Sequence, residues 1–236
     1  MTQPFRSGIT YSSLVWPGLV FALDEDTLRV RFPEPLHALS SAILPGGFSI
    51  ADELVNWKVP LDYDGSDPLT ELKARCMDWG CDPSRTVGFM TAAKLTHASL
   101  AEQEGDRFRL VCCSTVGTRN AARAGYPRET YSAYTPGTIN IALFIDGRMT
   151  ESAMVNAVIT ATEAKAAALQ ELGVAERASG LIATGTTTDA VAVCVSQRSA
   201  WNDVHAYAGS ATSIGCAIGE AVFRTVSEAV RTQGED

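Results

Sequence analysis

The chain has 236 residues, 46% of them hydrophobic and 19% charged, which is enough for one large domain or two small ones. A formal charge of −8 repels phosphate backbones and argues against nucleic acid as a partner. No apolar run reaches the ~20 residues of a membrane helix, and Met1-Thr2-Gln3-Pro4-Phe5-Arg6 lacks the apolar core of a signal peptide, so a cytoplasmic protein without a membrane partner is expected.

Residues 14–32 read as short strands joined by turns. Leu28-Arg29-Val30-Arg31-Phe32 alternates apolar and basic, as a half-exposed strand does, and Pro33-Glu34-Pro35 is expected to stop it. Leu39 to Leu44 is a strand of small residues running into Pro45-Gly46-Gly47, where glycine permits close approach of a ligand or of another strand. Leu54 to Val59 is a further strand. Asp62 to Pro68 has the composition of a surface loop, and Leu69, Leu72, Cys76 and Trp79 follow at helical spacing. Val87 to Ala93 reads as a buried strand and Arg107 to Thr115 as a further strand. The second ends in Ser114-Thr115-Val116-Gly117-Thr118-Arg119-Asn120-Ala121, a loop dense in hydrogen-bonding groups that serve either a ligand or their own backbone. Ala124-Gly125-Tyr126-Pro127 closes that loop, and the polar, aromatic segment to Pro136 is expected to be mobile.

The most informative stretch begins at the turn Tyr134-Thr135-Pro136-Gly137. From Thr138 the residues alternate. Ile139, Ile141, Leu143 and Ile145 form one apolar face, while Thr138, Asn140, Ala142 and Phe144 form another that is polar only at its start. A hydroxyl and an amide at the mouth of a buried strand suit a reaction site; completing a turn is their structural alternative. A helix follows, capped at Thr150 or Ser152 and stopped by Gly173, with apolar groups at Val155, Val158, Ile159, Ala166 and Leu169. Glu163 and Lys165 interrupt its alanines, and for Lys165 a solvated edge is expected. In the strand from Ala183 to Val195, Asp189 shares a face with Val191, Val193 and Val195. A carboxylate there is costly unless it is bonded or functional. The last helix carries the stripe Ile214, Ile218, Ala221, Val222 and Val226, with Gly215 and Gly219 placed for close packing.

Six cysteines are present. Cys112, Cys113, Cys194 and Cys216 lie in apolar stretches and are expected as buried free thiols. Cys76 and Cys81 do not form C-x-x-C and have no histidine nearby, so no zinc site is expected. The fold class expected is α+β: a single layered domain over 1–236 with helices packed on a mostly antiparallel or mixed sheet, αββα-like in one form, and with ends 1–13 and 232–236 loosely ordered.

Taken together, several segments resemble the adenosylcobinamide amidohydrolase family. They are Ser40 to Leu44 with Gly46-Gly47, Val87 to Ala93, Ser114 to Asn120 with Ala124-Gly125, Gly137 to Ile141, Ile159 to Lys165, Ala183 to Ala190, and Tyr207 to Thr212. The resemblance implies hydrolysis of the amide that joins the aminopropanol arm to the corrin side chain, giving adenosylcobyric acid and 1-amino-2-propanol in corrinoid salvage. A fainter likeness in layout is to β-aminopeptidases and ornithine acetyltransferases. There a Gly-Ser or Gly-Thr opens an apolar strand, the chain cuts itself before the hydroxyl residue, and that residue is the nucleophile.

From local chemistry, with the likeness in layout favouring Thr138, the expected catalytic residues are Thr138 as nucleophile, Asn140 together with Asn120 and nearby loop N–H groups on the oxyanion, and Asp189 or Glu163 as base unless the amine of a cut chain serves. Ser41, Gly46, Gly47, Ser114, Asn120 and His205 are the expected substrate contacts, and Ser41 and Ser114 are alternative nucleophiles. His37, His97 and His205 are scattered and no H-x-x-x-H or H-E-x-x-H pattern occurs, so neither a metal nor a cofactor is expected, with metal-bound water as the rival route. A corrinoid carrier without hydrolysis, holding a flat ligand with Trp57, Trp79 or Trp201, is the alternative of a different class. A homo-oligomer is left open.

Overall fold

The computed structural model describes residues 3–127 and 137–235. The segment 128–136, including the expected turn at Tyr134-Thr135-Pro136 and the stretch expected to be mobile, lies outside the described residues. In chain order the elements are β1 (Thr10–Ser12), β2 (Val20–Asp24), β3 (Thr27–Ser40), β4 (Gly47–Lys58), α1 (Pro68–Asp78), β5 (Thr86–Thr91), β6 (Ser99–Glu104) and β7 (Arg109–Val116). They continue with β8 (Ala121–Ala122), β9 (Ile139–Asp146), α2 (Glu151–Glu171), β10 (Gly185–Thr186), β11 (Ala190–Val195) and α3 (Ser213–Thr232).

The main sheet is mixed, as expected. Its order is β1-β2-β3-β11-β9-β7-β6, with β4 on the other edge of β3 and β5 beyond β4. The pairs β9–β11 and β4–β5 are parallel and the others antiparallel.

Strand β3 makes the sheet fold back on itself. Its first half pairs with β2 up to Arg31, and its second half pairs with β11 from His37. The register with β4 shifts between Arg31 and Leu36. Pro33 and Pro35 therefore do not stop the strand, contrary to expectation. They occupy the one span of β3 that is unpaired on both edges, where a missing N–H removes no ladder bond.

Four layers result. Helices α2 and α3 cover one face of the β7–β9–β11 sheet, burying Ile139, Ile141, Leu143, Ile145, Val191, Val193 and Val195. The opposite face, with Ala142, Phe144, Ala192 and Cys194, packs against Phe21, Leu28, Val30, Leu54 and Phe89 of the folded-back part. Helix α1 closes the far side, setting Leu72 and Cys76 on Val55 and Trp57 of β4. Strand β9 is thus buried on both faces, and all eight of its residues are buried.

Side-chain oxygens start the helices. Asp67 Oδ1 accepts from Thr70 N–H, Thr150 Oγ1 from Ala153 N–H, and Thr212 Oγ1 from Gly215 N–H. Helix α2 turns inward its small residues Ala153, Ala157, Ala161 and Ala168, and leaves Val155 and Ile159 exposed. Alanine lets the backbone lie near the sheet, and of the helix's larger apolar groups Met154 and Leu169 join the buried side. Cys216 is exposed on α3, while the other five cysteines are free and buried. Where the sequence predicts loose ends, the structure joins them: Gln3 Nε2 donates to His97 O and to Thr232 Oγ1, and Phe5 is buried.

The two glycines of α3 differ in what they permit. A Cβ on Gly215 would stand 2.0 Å from Gly209 O and 2.4 Å from Ala208 O, whereas one on Gly219 would meet only Thr160 Cγ2 at 3.8 Å. Gly215→Ala is expected to destabilise by about 1–3 kcal/mol or more through overpacking against backbone. Gly219→Ala is expected to stabilise by up to about 1 kcal/mol through helix propensity. Urea unfolding of the two variants checks the opposite signs.

Candidate active site

Strands β9 and β11 begin side by side, with Asn140 opposite Ala190. The residues just ahead of them, Gly137-Thr138 and Thr188-Asp189, therefore meet at one edge of the sheet. The end of β7 reaches the same edge, where Thr115 lies opposite Asn140.

Asp189 points toward the helix layer, as its alternation with Val191 requires. Its Oδ1 accepts from Ile139 N–H at 3.1 Å and from the Thr186 hydroxyl, and its Oδ2 accepts from Thr186 N–H at 3.0 Å and from Lys165 Nζ at 2.5 Å. Four donors fill the acceptor capacity of a carboxylate. Lys165 is buried, not solvated as expected. The signal was in the spacing: Ala161, Lys165 and Ala168 share one helix face, and the two alanines belong to the buried stripe. Gly185 closes over this pair, because a Cβ there would lie 2.3 Å from Asp189 Oδ2 and 2.8 Å from Lys165 Nζ.

Thr138 and Asn140 point to the other side. Thr138 Oγ1 donates to Thr188 O at 2.7 Å and has Asn140 Oδ1 at 3.3 Å. Asn140 Nδ2 donates to Met90 O at 2.9 Å and to Asn56 Oδ1 at 3.1 Å, and Asn56 Nδ2 donates to Thr115 Oγ1 at 2.9 Å. A carbonyl can only accept, so Met90 fixes which end of the Asn140 amide faces Thr138. Both of its N–H donors are used, which leaves none for an oxyanion. Thr188 also acts through its own hydroxyl, which donates to Gly137 O at 2.6 Å. Asn120 Nδ2 donates to Thr187 Oγ1 at 2.7 Å and reaches Thr188 Oγ1 at 3.4 Å.

Gly137 and Thr138 line a cleft of about 440 Å³, together with Thr188, Ile43, Val59, Tyr63, Met90, Thr91, Ala92 and residues 66–69 at the start of α1. That volume suits a small-molecule site. Burial, a hydrogen bond to Glu71 and the charges of Asp64 and Asp67 push the Tyr63 phenol above its ordinary range. It stays protonated and donates to Glu71 Oε2 at 2.8 Å.

The structure brings Thr138, Asn140, Asn120 and Asp189 to the same strand entrances, Asp189 on the helix side and Thr138 and Asn140 on the other. The other expected residues lie elsewhere or are already engaged. Ser41 pairs with the start of β11, its Oγ accepting from Val191 N–H at 3.0 Å. Gly46 and Gly47 make the return from β3 to β4, where Ser40 pairs with Gly47 and Gly47 has φ 80°. Ser114 faces the helix layer and meets Thr225 Oγ1 at 2.8 Å. Glu163 lines a separate groove between α2 and α3 and is exposed. His205 bridges to Met149, beyond the far end of β9, with its ring against Phe108. Sequence reasoning missed Asn56, Thr115, Lys165 and Thr188. Among the described residues, no group of three or more His, Cys, Asp or Glu is placed to hold a metal, and no helix is long and apolar enough to cross a membrane.

The sequence model described as adenosylcobinamide amidohydrolase matches residues 19–236. A protein of Methanosarcina mazei named adenosylcobinamide amidohydrolase is 29% identical over 198 residues, covering 81% of this chain and 89% of that one. An uncharacterized protein of Methanocaldococcus jannaschii is 35% identical over 161 residues, covering 61% of this chain and 62% of that one.

Removing one member of the buried pair leaves the other charge without its partner. Lys165→Met is expected to lower stability by about 3–5 kcal/mol. The double variant Lys165→Met with Asp189→Asn should lose less than the two single losses added. Urea unfolding of the four proteins in this cycle checks the coupling.

Proposed function

The chain belongs to the adenosylcobinamide amidohydrolase family, a family of hydrolases, and from that premise we propose that it cleaves the amide joining the aminopropanol arm to the corrin side chain of adenosylcobinamide. The products are adenosylcobyric acid and 1-amino-2-propanol, and the setting is corrinoid salvage and remodelling. The observation that carries the site assignment is the Thr138 hydroxyl, set between two oxygen acceptors in the wall of an apolar cleft.

Amide hydrolysis needs a nucleophile, a place for the developing negative charge and a route for protons. In this mechanism Thr138 Oγ1 attacks the substrate carbonyl carbon. The acyl group passes to Thr138 as an ester and aminopropanol leaves with the proton. Water then cleaves the ester, releases adenosylcobyric acid and restores the hydroxyl. The Thr188 hydroxyl, bonded to Gly137 O in the intact chain, and Asn120 Nδ2, bonded to Thr187 Oγ1 and only weakly to Thr188 Oγ1, take the role of oxyanion stabilisers by exchanging those partners for the substrate oxygen. Asn140 holds Thr138 in place, since its N–H groups are committed to Met90 and Asn56. Asp189, with four donors on its carboxylate, fixes the strand entrance through Ile139 N–H instead of acting as the base. Glu163, in its separate groove, has no part. Ile43, Val59 and Met90 supply the apolar walls for the arm and the adjoining edge of the macrocycle.

The test is incubation with adenosylcobinamide and detection of released 1-amino-2-propanol. Thr138→Ala is expected to lower kcat on the order of 10³-fold or more, the scale on which loss of a nucleophile acts. Binding of the corrinoid without any release by the wild-type protein would make it a carrier, and full turnover by Thr138→Ala would remove the nucleophile assignment.

A further inference from the structure

One part of the mechanism is missing from the intact chain. The hydrogen bonds of Thr138 Oγ1 run to a backbone carbonyl and to an amide oxygen, and among the described residues no titratable side chain is bonded to it. Neither partner takes up a proton near neutral pH. The geometry around the preceding peptide bond supplies an answer.

Thr188 holds both sides of that bond. Its carbonyl accepts from the Thr138 hydroxyl at 2.7 Å, and its own hydroxyl donates to the Gly137 carbonyl at 2.6 Å. One residue thus positions a nucleophile and polarises the carbonyl immediately before it. Asn120 Nδ2 reaches Thr188 Oγ1 at 3.4 Å and extends the chain of donors toward Gly137 O. Asn120 also packs directly on Gly137. A Cβ at that position would lie 2.3 Å from Asn120 Oδ1, and φ is 143°, so the residue must be glycine and no side chain shields the carbonyl carbon. The strand that begins one residue later is anchored independently, through Ile139 N–H on Asp189.

We propose that the chain cuts itself between Gly137 and Thr138. Thr138 Oγ1 attacks the Gly137 carbonyl carbon through a small ring, and the oxyanion forms at the oxygen already bonded to the Thr188 hydroxyl. The C–N bond then breaks, the hydroxyl proton ends on the departing nitrogen, and Gly137 is left as an ester on Thr138. Water cleaves the ester, giving a Gly137 carboxylate, a free hydroxyl and a free α-amine on Thr138. An α-amine titrates near pH ~7.7–8.0, so Thr138 now carries its own base beside its nucleophile. Departure of the Gly137 carboxyl end frees the Thr188 hydroxyl for the substrate oxyanion. The two pieces stay together, because β9, from the second, lies between β7 of the first and β11. The inference rests on Thr138 being the nucleophile for substrate.

The experiment is intact-mass measurement of the purified full chain under denaturing conditions during incubation, alongside the aminopropanol assay. The 25.1 kDa wild-type chain is expected to resolve into 1–137 and 138–236, the second starting at Thr138 by N-terminal sequencing. Thr138→Ala should stay whole. Thr138→Ser, which keeps the hydroxyl and guards against a folding artefact, should still cut. Thr188→Val should slow cutting at least about tenfold, as loss of an oxyanion donor does. A wild-type chain that hydrolyses substrate while remaining whole overturns self-cleavage and leaves the nucleophile assignment standing. Full substrate turnover by Thr138→Ala overturns both. A cut at any other bond, or an unaltered cutting rate in Thr188→Val, also overturns the proposal.

Discussion

Two parallel strands start among buried residues, and the candidate site is the way their first polar groups are satisfied. Strands β9 and β11 are covered by helices on one face and by the folded-back sheet on the other. A buried N–H or carbonyl must find a partner or it costs free energy. On the helix side, the Asp189 carboxylate takes the first N–H of β9, and Lys165 balances its charge. On the sheet side, Thr138, Asn140, Asn56 and Thr115 form a hydrogen-bonded line between the two sheet layers, ending at Met90 O on one branch. What results is a hydroxyl with a fixed direction at the rim of an apolar cleft.

The same arrangement explains the alanines of α2. Lys165 can reach Asp189 because small residues on the inward stripe let the helix axis approach the sheet. The loop that carries Asp189 must then run close above the pair, which is why position 185 has no side chain. Helix, loop and strand entrance are therefore one unit, and displacing any of them would move Thr138.

Much of this was legible in the sequence. The alternation from Thr138 to Ile145, the polar start of that strand, and the shared face of Asp189 and the valines are local patterns of period two, and the structure keeps them. The partners were not legible, because they come from other elements: Asn56 from β4, Thr188 from the loop before β11, and Lys165 from α2. Lys165 was hidden by its type, since a lysine in a helix is usually solvated, although its spacing from Ala161 and Ala168 pointed inward. Pro33 and Pro35 misled for a related reason. A proline forbids a ladder bond only where a neighbour would make one, and the sequence does not show that β3 changes partners there. Glu163 sat in a family-like segment and His205 just ahead of another, but the fold carries His205 to the far end of β9 and Glu163 to another groove.

The central claim is that the Thr138 oxygen bonds to the acyl carbon during turnover. Acid quenching of the wild-type protein during steady-state hydrolysis of adenosylcobinamide, followed by peptide mapping in a mass spectrometer, tests it directly. The account predicts a corrinoid acyl ester on the peptide that contains Thr138 and on that residue. Rapid turnover with the ester on another side chain, or with Thr138 unmodified at every quench time, would contradict it.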